Sequence, residues 1–301
     1  MSSNKAKLVN VVAAAATIAG LGVMLGCKGE NNTEPASVNK VVEKSAKKDE
    51  PTFDDLNATL SAKYENPGEG VPGSYLDILN PATAFGLYNN LRKWDESGQD
   101  IAELLKSSAF GEAEASEAFT LGRQYGDASD DFKKRDLSEK ILSVAKIEAD
   151  KVEGNRLVKF LSVPGDQAAL ELSRYNFEEK EFKVDHCLFS DKLEYTKEEQ
   201  RVAQNLKGAD QQRCYFRTSN TELKIGFIGG SNVRLKVASP ELARKIEAEK
   251  SQLVIEVYGY VDSVERDKVG GRLVKERRVL IAPQKLVLID SSKKVIFEAA
   301  I

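Results

Sequence analysis

The sequence holds few of the side chains on which most active sites depend. Its 301 residues include one histidine, His186, one tryptophan, two methionines and three cysteines. A serine or cysteine nucleophile usually needs an oriented histidine base, and a histidine-based zinc site needs several imidazoles. His186 lies between Asp185 and Cys187 in a predicted strand, where neighbouring side chains point to opposite faces. We therefore interpret it as a packing or surface residue, and we predict no catalytic residue, metal or cofactor.

The sequence also lacks a strong charge of one sign. Its net charge is −3, with 30% charged and 41% hydrophobic residues, which is an ordinary balance for a globular protein. A mildly acidic chain has no overall field that attracts nucleic acid, so we expect no nucleic-acid partner. The 47 acidic residues allow too many carboxylate pairs for any one spacing to stand out. A carboxylate-based hydrolase therefore stays open as the least favoured alternative.

One long apolar run stands at the beginning of the chain. Lys5 and Lys7 precede an uncharged stretch from Leu8 to Leu25. This order of charge followed by apolar residues is typical of a secretory signal peptide. A permanent transmembrane helix is the alternative, because about 17–25 residues can span a bilayer.

The end of that run resembles the lipobox of bacterial lipoprotein precursors. It reads Met24-Leu25-Gly26-Cys27, although the family usually has leucine where Met24 stands. The resemblance implies that residues 1–26 are cleaved as a signal peptide and that Cys27 is acylated, with palmitate among its chains. Lys28, where an aspartate would imply retention at the inner membrane, implies the outer membrane, with the body on the periplasmic side. Several acyl chains give stable anchoring, which one chain does not.

A polar segment follows the cysteine. Residues 27–51 contain almost no bulky apolar side chain, and such a segment cannot bury enough surface to offset its ordering entropy. We predict a disordered tether with a typical span of about 25–30 Å. A poorly formed helix over residues 38–48 is the alternative.

Residues 52–154 are predicted to be mainly helical. A short helix is expected within residues 51–64, another around Ile101–Leu105, and the strongest one from Ser129 onward, where acidic residues open an apolar stripe. Four residues spaced three apart indicate one core-facing helix surface rather than a ligand platform: Phe85, Tyr88, Leu91 and Trp94.

Residues 155–301 are predicted to be rich in strands. Gly229–Asn232 is predicted as a hairpin turn, since no lysine follows it as in a phosphate-binding P-loop, and Asp290–Lys293 as a second turn. Ser239 and Pro240 are expected to open one inserted helix. We predict an α+β fold in which a helical N-terminal part precedes a mainly antiparallel sheet or partly closed barrel. Residues 52–301 are expected to form one globular unit.

Two cysteines remain after Cys27. An even pair in an exported chain is a disulfide candidate, so Cys187 and Cys214 are predicted to form a bridge between strands. Two buried thiols that never meet are the alternative. The absence of a Cys-x-x-Cys spacing argues against a redox-active pair.

Basic residues gather around the Gly270-Gly271 turn. This cluster is a candidate anion-binding site for lipid head groups, lipopolysaccharide or a glycan, or else a solvated hairpin rim balanced by Glu265, Asp267 and Glu276. The basic residues are Arg266, Lys268, Arg272, Lys275, Arg277 and Arg278.

Two further stretches, FKKRDL and RYNFEEKEF, are faintly similar to bacterial lipoprotein families of unknown function, which implies nothing about mechanism. From the sequence we expect a lipid-anchored envelope lipoprotein that acts as a non-enzymatic binding module for an envelope protein or a glycan. A structural or stress-related envelope lipoprotein is the first alternative.

Overall fold

The computed structural model describes residues 52, 56–106, 116–166, 168–189, 214–217 and 222–301. The predicted signal peptide, Cys27 and the tether lie outside these residues. In chain order the elements are β1 (Ala58–Lys63), β2 (Leu76–Asp77), α1 (Pro81–Leu91), α2 (Gly98–Leu105), α3 (Glu117–Asp127), α4 (Asp131–Asp150), β3 (Leu157–Ser162), β4 (Glu181–Phe182), β5 (Phe216–Arg217), β6 (Leu223–Phe227), β7 (Leu235–Lys236), α5 (Pro240–Glu249), β8 (Val254–Val269), β9 (Arg272–Ile289) and β10 (Val295–Ala300).

The long hairpin of β8 and β9 is the centre of the sheet. On the outer side of β8, β3 pairs with residues 255–260 and β1 with residues 263–268. On the outer side of β9, β6 pairs with residues 277–281 and β10 with residues 285–289. Within the described residues the strand order is β2-β3-β8-β9-β6-β5, with β2–β3 and β6–β9 parallel and the other pairs antiparallel. This mixed sheet, together with the helices, confirms the α+β class.

The helices begin where the sequence provides capping groups. Asp130 accepts hydrogen bonds from the backbone N–H groups of Phe132 and Lys133 at the start of α4, as its acidic opening predicted. Ser97 and Asp100 form a reciprocal capping box at the start of α2. Ser239 caps α5, and Pro240 is its first residue, which confirms that prediction.

The four helices α1–α4 pack together, and α1 also contacts β6, β8 and β9. Phe85, Tyr88 and Leu91 of the predicted stripe are buried in the core. The helix ends at Leu91, so Trp94 lies beyond it and packs against the edge of Tyr88, with ring centroids 6.1 Å apart. The aromatic stripe therefore belongs to the core, as predicted.

The sheet is curved enough to bring distant strands together on its inner face. The ring of Phe160 on β3 contacts those of Phe216 on β5 and Phe227 on β6, with centroids 5.7 and 5.5 Å apart. These strands are separated in the sheet order by β8 and β9. The strand pairs of the described residues leave the order open between β2 and β5, so the partly closed barrel stays a prediction.

Two predicted elements, a helix and a hairpin, differ from the structure. The helix predicted within residues 51–64 is wrong, because residues 58–63 form β1, which satisfies its backbone by pairing with β8. The helical part is therefore preceded by two strands. Gly229 does adopt a left-handed turn, with φ 70°, but β6 and β7 do not form a hairpin, because β7 pairs with β4 in a separate sheet.

The last two strands are a long strand and a short one that returns along it. β9 is continuous and accommodates Pro283 at a register shift opposite Tyr258 and Gly259. The turn after it is as predicted: Asp290 accepts hydrogen bonds from the backbone N–H groups of Ser292 and Lys294, and β10 returns along β9.

Candidate functional site

The structure divides the predicted basic cluster into two groups. Three arginines are almost completely buried, with Arg266 2%, Arg277 1% and Arg278 3% exposed. Lys268 is half-buried, whereas Arg272 and Lys275 are exposed. The three buried arginines contact carboxylates of the protein itself. The hypothesis of an external anion therefore applies only to the other three basic residues.

Arg266 and Arg277 share one buried carboxylate, that of Glu96. Arg277 donates from Nε and Nη2 to Glu96 Oε2, at 3.1 and 2.7 Å. Arg266 Nη1 lies 2.8 Å from Oε1 as an ion pair whose angles do not suit a hydrogen bond. The arginines are direct cross-strand neighbours on β8 and β9, and Glu96 lies in the connection between α1 and α2. This cluster therefore connects the helices to the sheet.

Neutral side chains complete the surroundings of Glu96. Tyr88 Oη donates to Glu96 Oε1 at 2.6 Å, and Trp94 Nε1 donates to the same oxygen at 3.3 Å. Burial would raise the pKa of Glu96, but the charge and hydrogen bonds of Arg277, the charge of Arg266 and the hydrogen bond from Tyr88 outweigh it and lower the pKa to about 2. A carboxylate that stays ionised in this way cannot act as a general acid near neutral pH.

Arg278 forms a second ion cluster on the opposite face of β9. Its Nη2 donates to Asp267 at 2.6 Å, its Nε lies 3.3 Å from Glu265, and its Nη1 lies 3.8 Å from Glu276. Burial alone would lower the pKa of Arg278. The hydrogen bond to Asp267 and the neighbouring charges have the larger effect, so the pKa is raised above its ordinary value. These are the three acidic residues that the sequence offered as balancing charges, and the structure brings all of them to Arg278.

The other half of the basic cluster lies at the tip of the β8–β9 hairpin. Gly270 and Gly271 form its two-residue turn with φ 57° and 79°, a backbone conformation that favours glycine. Val269 and Arg272 flank the turn as cross-strand partners, and Lys268 comes directly before them. This tip is therefore the exposed part of the site that the sequence predicted.

A half-exposed face of the sheet was not predicted as a site. It carries one alternating set of side chains from β3 and β8, because Leu157, Lys159 and Leu161 pair with Tyr260, Tyr258 and Glu256. All six side chains are neither fully buried nor fully exposed. We call this set the open face. Its sequence signal was the alternation of β8, which indicated a strand but not which of its faces the protein covers.

Tyr258 lies at the centre of the open face and has a partner on each side. Its ring packs edge-on against Tyr75 at 4.8 Å, and Lys285 Nζ lies 5.0 Å from the ring centroid. Its hydroxyl donates to Glu256. Burial and the neighbouring Glu256 raise the pKa of Tyr258, so the phenol stays neutral and donates at physiological pH.

The remaining candidates from the sequence, the cysteine pair and His186, have structural roles. Cys187 and Cys214 are joined in a disulfide, as predicted, with their Cα atoms 5.6 Å apart. The bridge does not join two strands as expected, because Cys187 opens the 3-10 turn Cys187–Phe189 and Cys214 precedes β5, and His186 likewise lies outside a strand. His186 Nδ1 accepts a hydrogen bond from the backbone N–H of Leu188 at 3.2 Å, and burial lowers its pKa. The imidazole thus caps the short 3-10 turn that leads into the disulfide.

Sites of other classes have little support in the described residues. A cavity of about 180 Å³ is lined by residues 164–165, 169–172, 250–251 and 253, and its charged lining residues are Glu171 and Lys250. Within the described ranges, no three His, Cys, Asp or Glu side chains are grouped to hold a metal ion. Among the described helices, none has both the length and the apolar character needed to cross a bilayer.

No family model, no curated protein and no solved structure matches the chain.

Proposed function

We propose that the chain is a lipid-anchored protein of the bacterial outer membrane whose body acts as a non-enzymatic binding module. The lipobox-like Met24–Cys27 and the polar tether behind it support the anchor. The body then works at a short distance from the membrane, on the periplasmic side.

The open face is the observation that carries the binding role. Two leucines and two tyrosines lie on it beside Lys159 and Glu256, whose side chains pair at 3.4 Å. Sheet faces that are not needed for the core are normally polar, whereas partner surfaces combine aromatic and aliphatic groups with a polar surround. This composition suits an envelope protein better than a small molecule, because the six side chains lie on a sheet face and the cavity of about 180 Å³ is smaller than a typical ligand pocket.

The anchor is tested by intact-mass analysis of the protein purified from its native membrane. The expected N-terminus is an acylated residue 27, and a C27S variant is expected to leave the membrane fraction or to retain its leader. An unmodified thiol with residues 1–26 still attached would contradict the proposal.

The binding role is tested by photo-crosslinking in living cells. A photoreactive amino acid replaces Leu161 or Tyr260 on the open face, and a matched control replaces Phe132, which is 74% exposed on α4. We expect discrete crosslinked species from the two open-face positions that the control does not give. The same pattern from all three positions would exclude the open face as the binding surface.

A further inference from the structure

Leu56 and Asn57, which come just before β1, lie beside the tip of the β8–β9 hairpin. Gly271 donates its backbone N–H to the carbonyl of Leu56 at 2.9 Å, and Gly270 donates to Asn57 Oδ1 at 3.1 Å. A Cβ on Gly271 would lie 3.2 Å from Leu56 Cδ2, so the chain and the tip are in contact. The described body therefore begins at this tip and then continues into β1.

The tip combines an exposed apolar side chain with cations. Val269 is 58% exposed, and Arg272 faces it across the two-glycine turn. On the side of Gly270 where a Cβ would lie, no described residue comes within 4 Å, so that side of the turn is open among the described residues. An exposed aliphatic group between basic side chains is the arrangement with which proteins contact an anionic lipid surface.

Acidic residues near the tip are already neutralised. Asp267 accepts from Arg278 at 2.6 Å and from Thr59 at 2.8 Å, and Glu276 is paired with Lys224. In the described part of the chain, neither Lys268 nor Arg272 has a carboxylate within ion-pair distance, whereas Lys275 lies 4.0 Å from Glu103. The two cations closest to the turn are therefore available to an external anion.

The length of the chain between Cys27 and Leu56 favours the anionic membrane surface as the partner of these two cations. A flexible chain as long as residues 28–51 has a typical span of about 25–30 Å. The sixteen-residue strand β8 extends about 50 Å at ~3.3 Å per residue, from the tip to the opposite end of the sheet. A body held at Leu56 by such a tether keeps the tip within reach of the bilayer more readily than any surface at the far end.

We propose that Lys268, Val269 and Arg272 rest on anionic phospholipid head groups and so orient the body on the membrane. The proposal depends on the lipid anchor proposed above, and it commits to a lipid surface rather than to a glycan or a protein. Each basic side chain close to an anionic bilayer strengthens its association about fivefold, so the pair is expected to contribute about 25-fold.

The test uses the mature acylated protein in vesicles, with an environment-sensitive fluorophore attached to a V269C variant. The introduced thiol is the one that reacts, because Cys187 and Cys214 are joined and Cys27 carries the lipid. The matched control is V295C at the opposite end of the sheet, where the native valine is 51% exposed. Flotation and the mass of residue 27 are measured first, so failure of the anchor is seen separately.

We expect the V269C probe to shift to shorter wavelength, and to be shielded from an aqueous quencher, in vesicles containing phosphatidylglycerol but not in pure phosphatidylcholine. The V295C probe should not change. A K268E/R272E variant should lose the shift while still floating, whereas K293E/K294E, at the exposed turn beyond β9, should retain it. Asp54 and Asp55, which precede Leu56 in the sequence, stay unchanged throughout.

Three outcomes would overturn the proposal. The first is an anchored protein whose V269C probe does not respond to anionic lipid. The second is an equal response at both probe positions. The third is a V269C response to a soluble polyanionic glycan without vesicles, which would assign the tip to a glycan instead.

Discussion

The carboxylate of Glu96 lies 2.7 Å from the guanidinium of Arg277, although the two residues are 181 positions apart in the chain. Both side chains are almost completely shielded from solvent. Arg266 contacts the same carboxylate, so two positive charges share one fully buried negative charge, and the partly exposed Asp100 lies 3.5 Å from Arg266 as a second partner. Removing one member of such a cluster leaves an uncompensated buried charge, and this makes the cluster a strong determinant of stability.

We expect E96Q to destabilise the fold by about 3–5 kcal/mol, because Arg266 and Arg277 would stay buried without their shared counter-charge. The measurement is the free energy of urea unfolding. D95N is the matched control, since Asp95 is the exposed neighbour of Glu96, and it should have almost no effect. If E96Q and D95N were equally stable, the cluster would not hold the helices to the sheet.

Substitution of Tyr88, the neutral hydrogen-bond donor to Glu96, tests the same cluster with a smaller change. Tyr88 donates to Glu96 at 2.6 Å, and a hydrogen bond to a charged group contributes about 1.5–3 kcal/mol. Y88F should therefore lower the free energy of unfolding by about that amount. In an E96Q background the same substitution should cost less, because its charged acceptor is gone. Equal costs in both backgrounds would show that Tyr88 acts through packing alone.

The low pKa of Glu96 predicts acid sensitivity. Its ordinary pKa of 4.5 applies to the unfolded chain, and the folded value is about 2. A lowered folded pKa contributes stability that is complete above about pH 5 and is lost as the pH falls toward 2. The difference corresponds to about 3 kcal/mol. Between pH 6 and pH 3 the native protein should lose about 2 kcal/mol of this stability, because pH 3 is still above the folded pKa, and E96Q should lose less, whereas identical pH profiles would contradict it.

Local sequence signals were reliable where one element decides its own structure. The acidic opening and apolar stripe predicted α4, and Ser239 with Pro240 predicted the start of α5. Such signals failed where a distant partner decides, as in β1, which is a strand because β8 lies beside it. The propensity of residues 51–64 was therefore overridden by tertiary pairing.

The same limit applies to the candidate site. The sequence identified all six basic residues and the two-glycine turn that joins their strands. It could not separate Arg277 from Lys275, because residues two apart on a strand share a face, and only the packing of the helical part on that face decides that Arg277 is the one buried against Glu96. The open face was missed for a similar reason: alternation in β8 indicates two faces but not which one the helices cover.

The disulfide predicts sensitivity to reduction. Cys187 and Cys214 are separated by 27 positions, and closing a loop of that size stabilises the fold by about 3.5 kcal/mol in the chain-entropy model. The thermal midpoint of the native protein should fall in the presence of dithiothreitol. A C187S/C214S variant should melt at the reduced midpoint and should not respond to the reagent. A native protein that melts identically with and without reductant would contradict the bridge as a stabilising element.

Two glycines on α3 provide a matched test of how closely the helices pack. A Cβ on Gly122 would lie 2.4 Å from Leu105 Cβ and 2.9 Å from its carbonyl carbon, so α2 would have to move. A Cβ on Gly126, about one turn later, would lie 3.4 Å from Lys106 Cβ, which is close to ordinary contact.

Both substitutions gain the helix propensity of alanine, about 1 kcal/mol, and differ in the contact they create. We expect G122A to lower the free energy of unfolding by about 1–3 kcal/mol, the usual cost of overpacking a core. G126A should be neutral or slightly stabilising. Chemical denaturation of the two variants side by side measures the difference. Because the backbone gain is common to both, a G122A protein as stable as G126A would mean that α2 and α3 are not in close contact near Leu105.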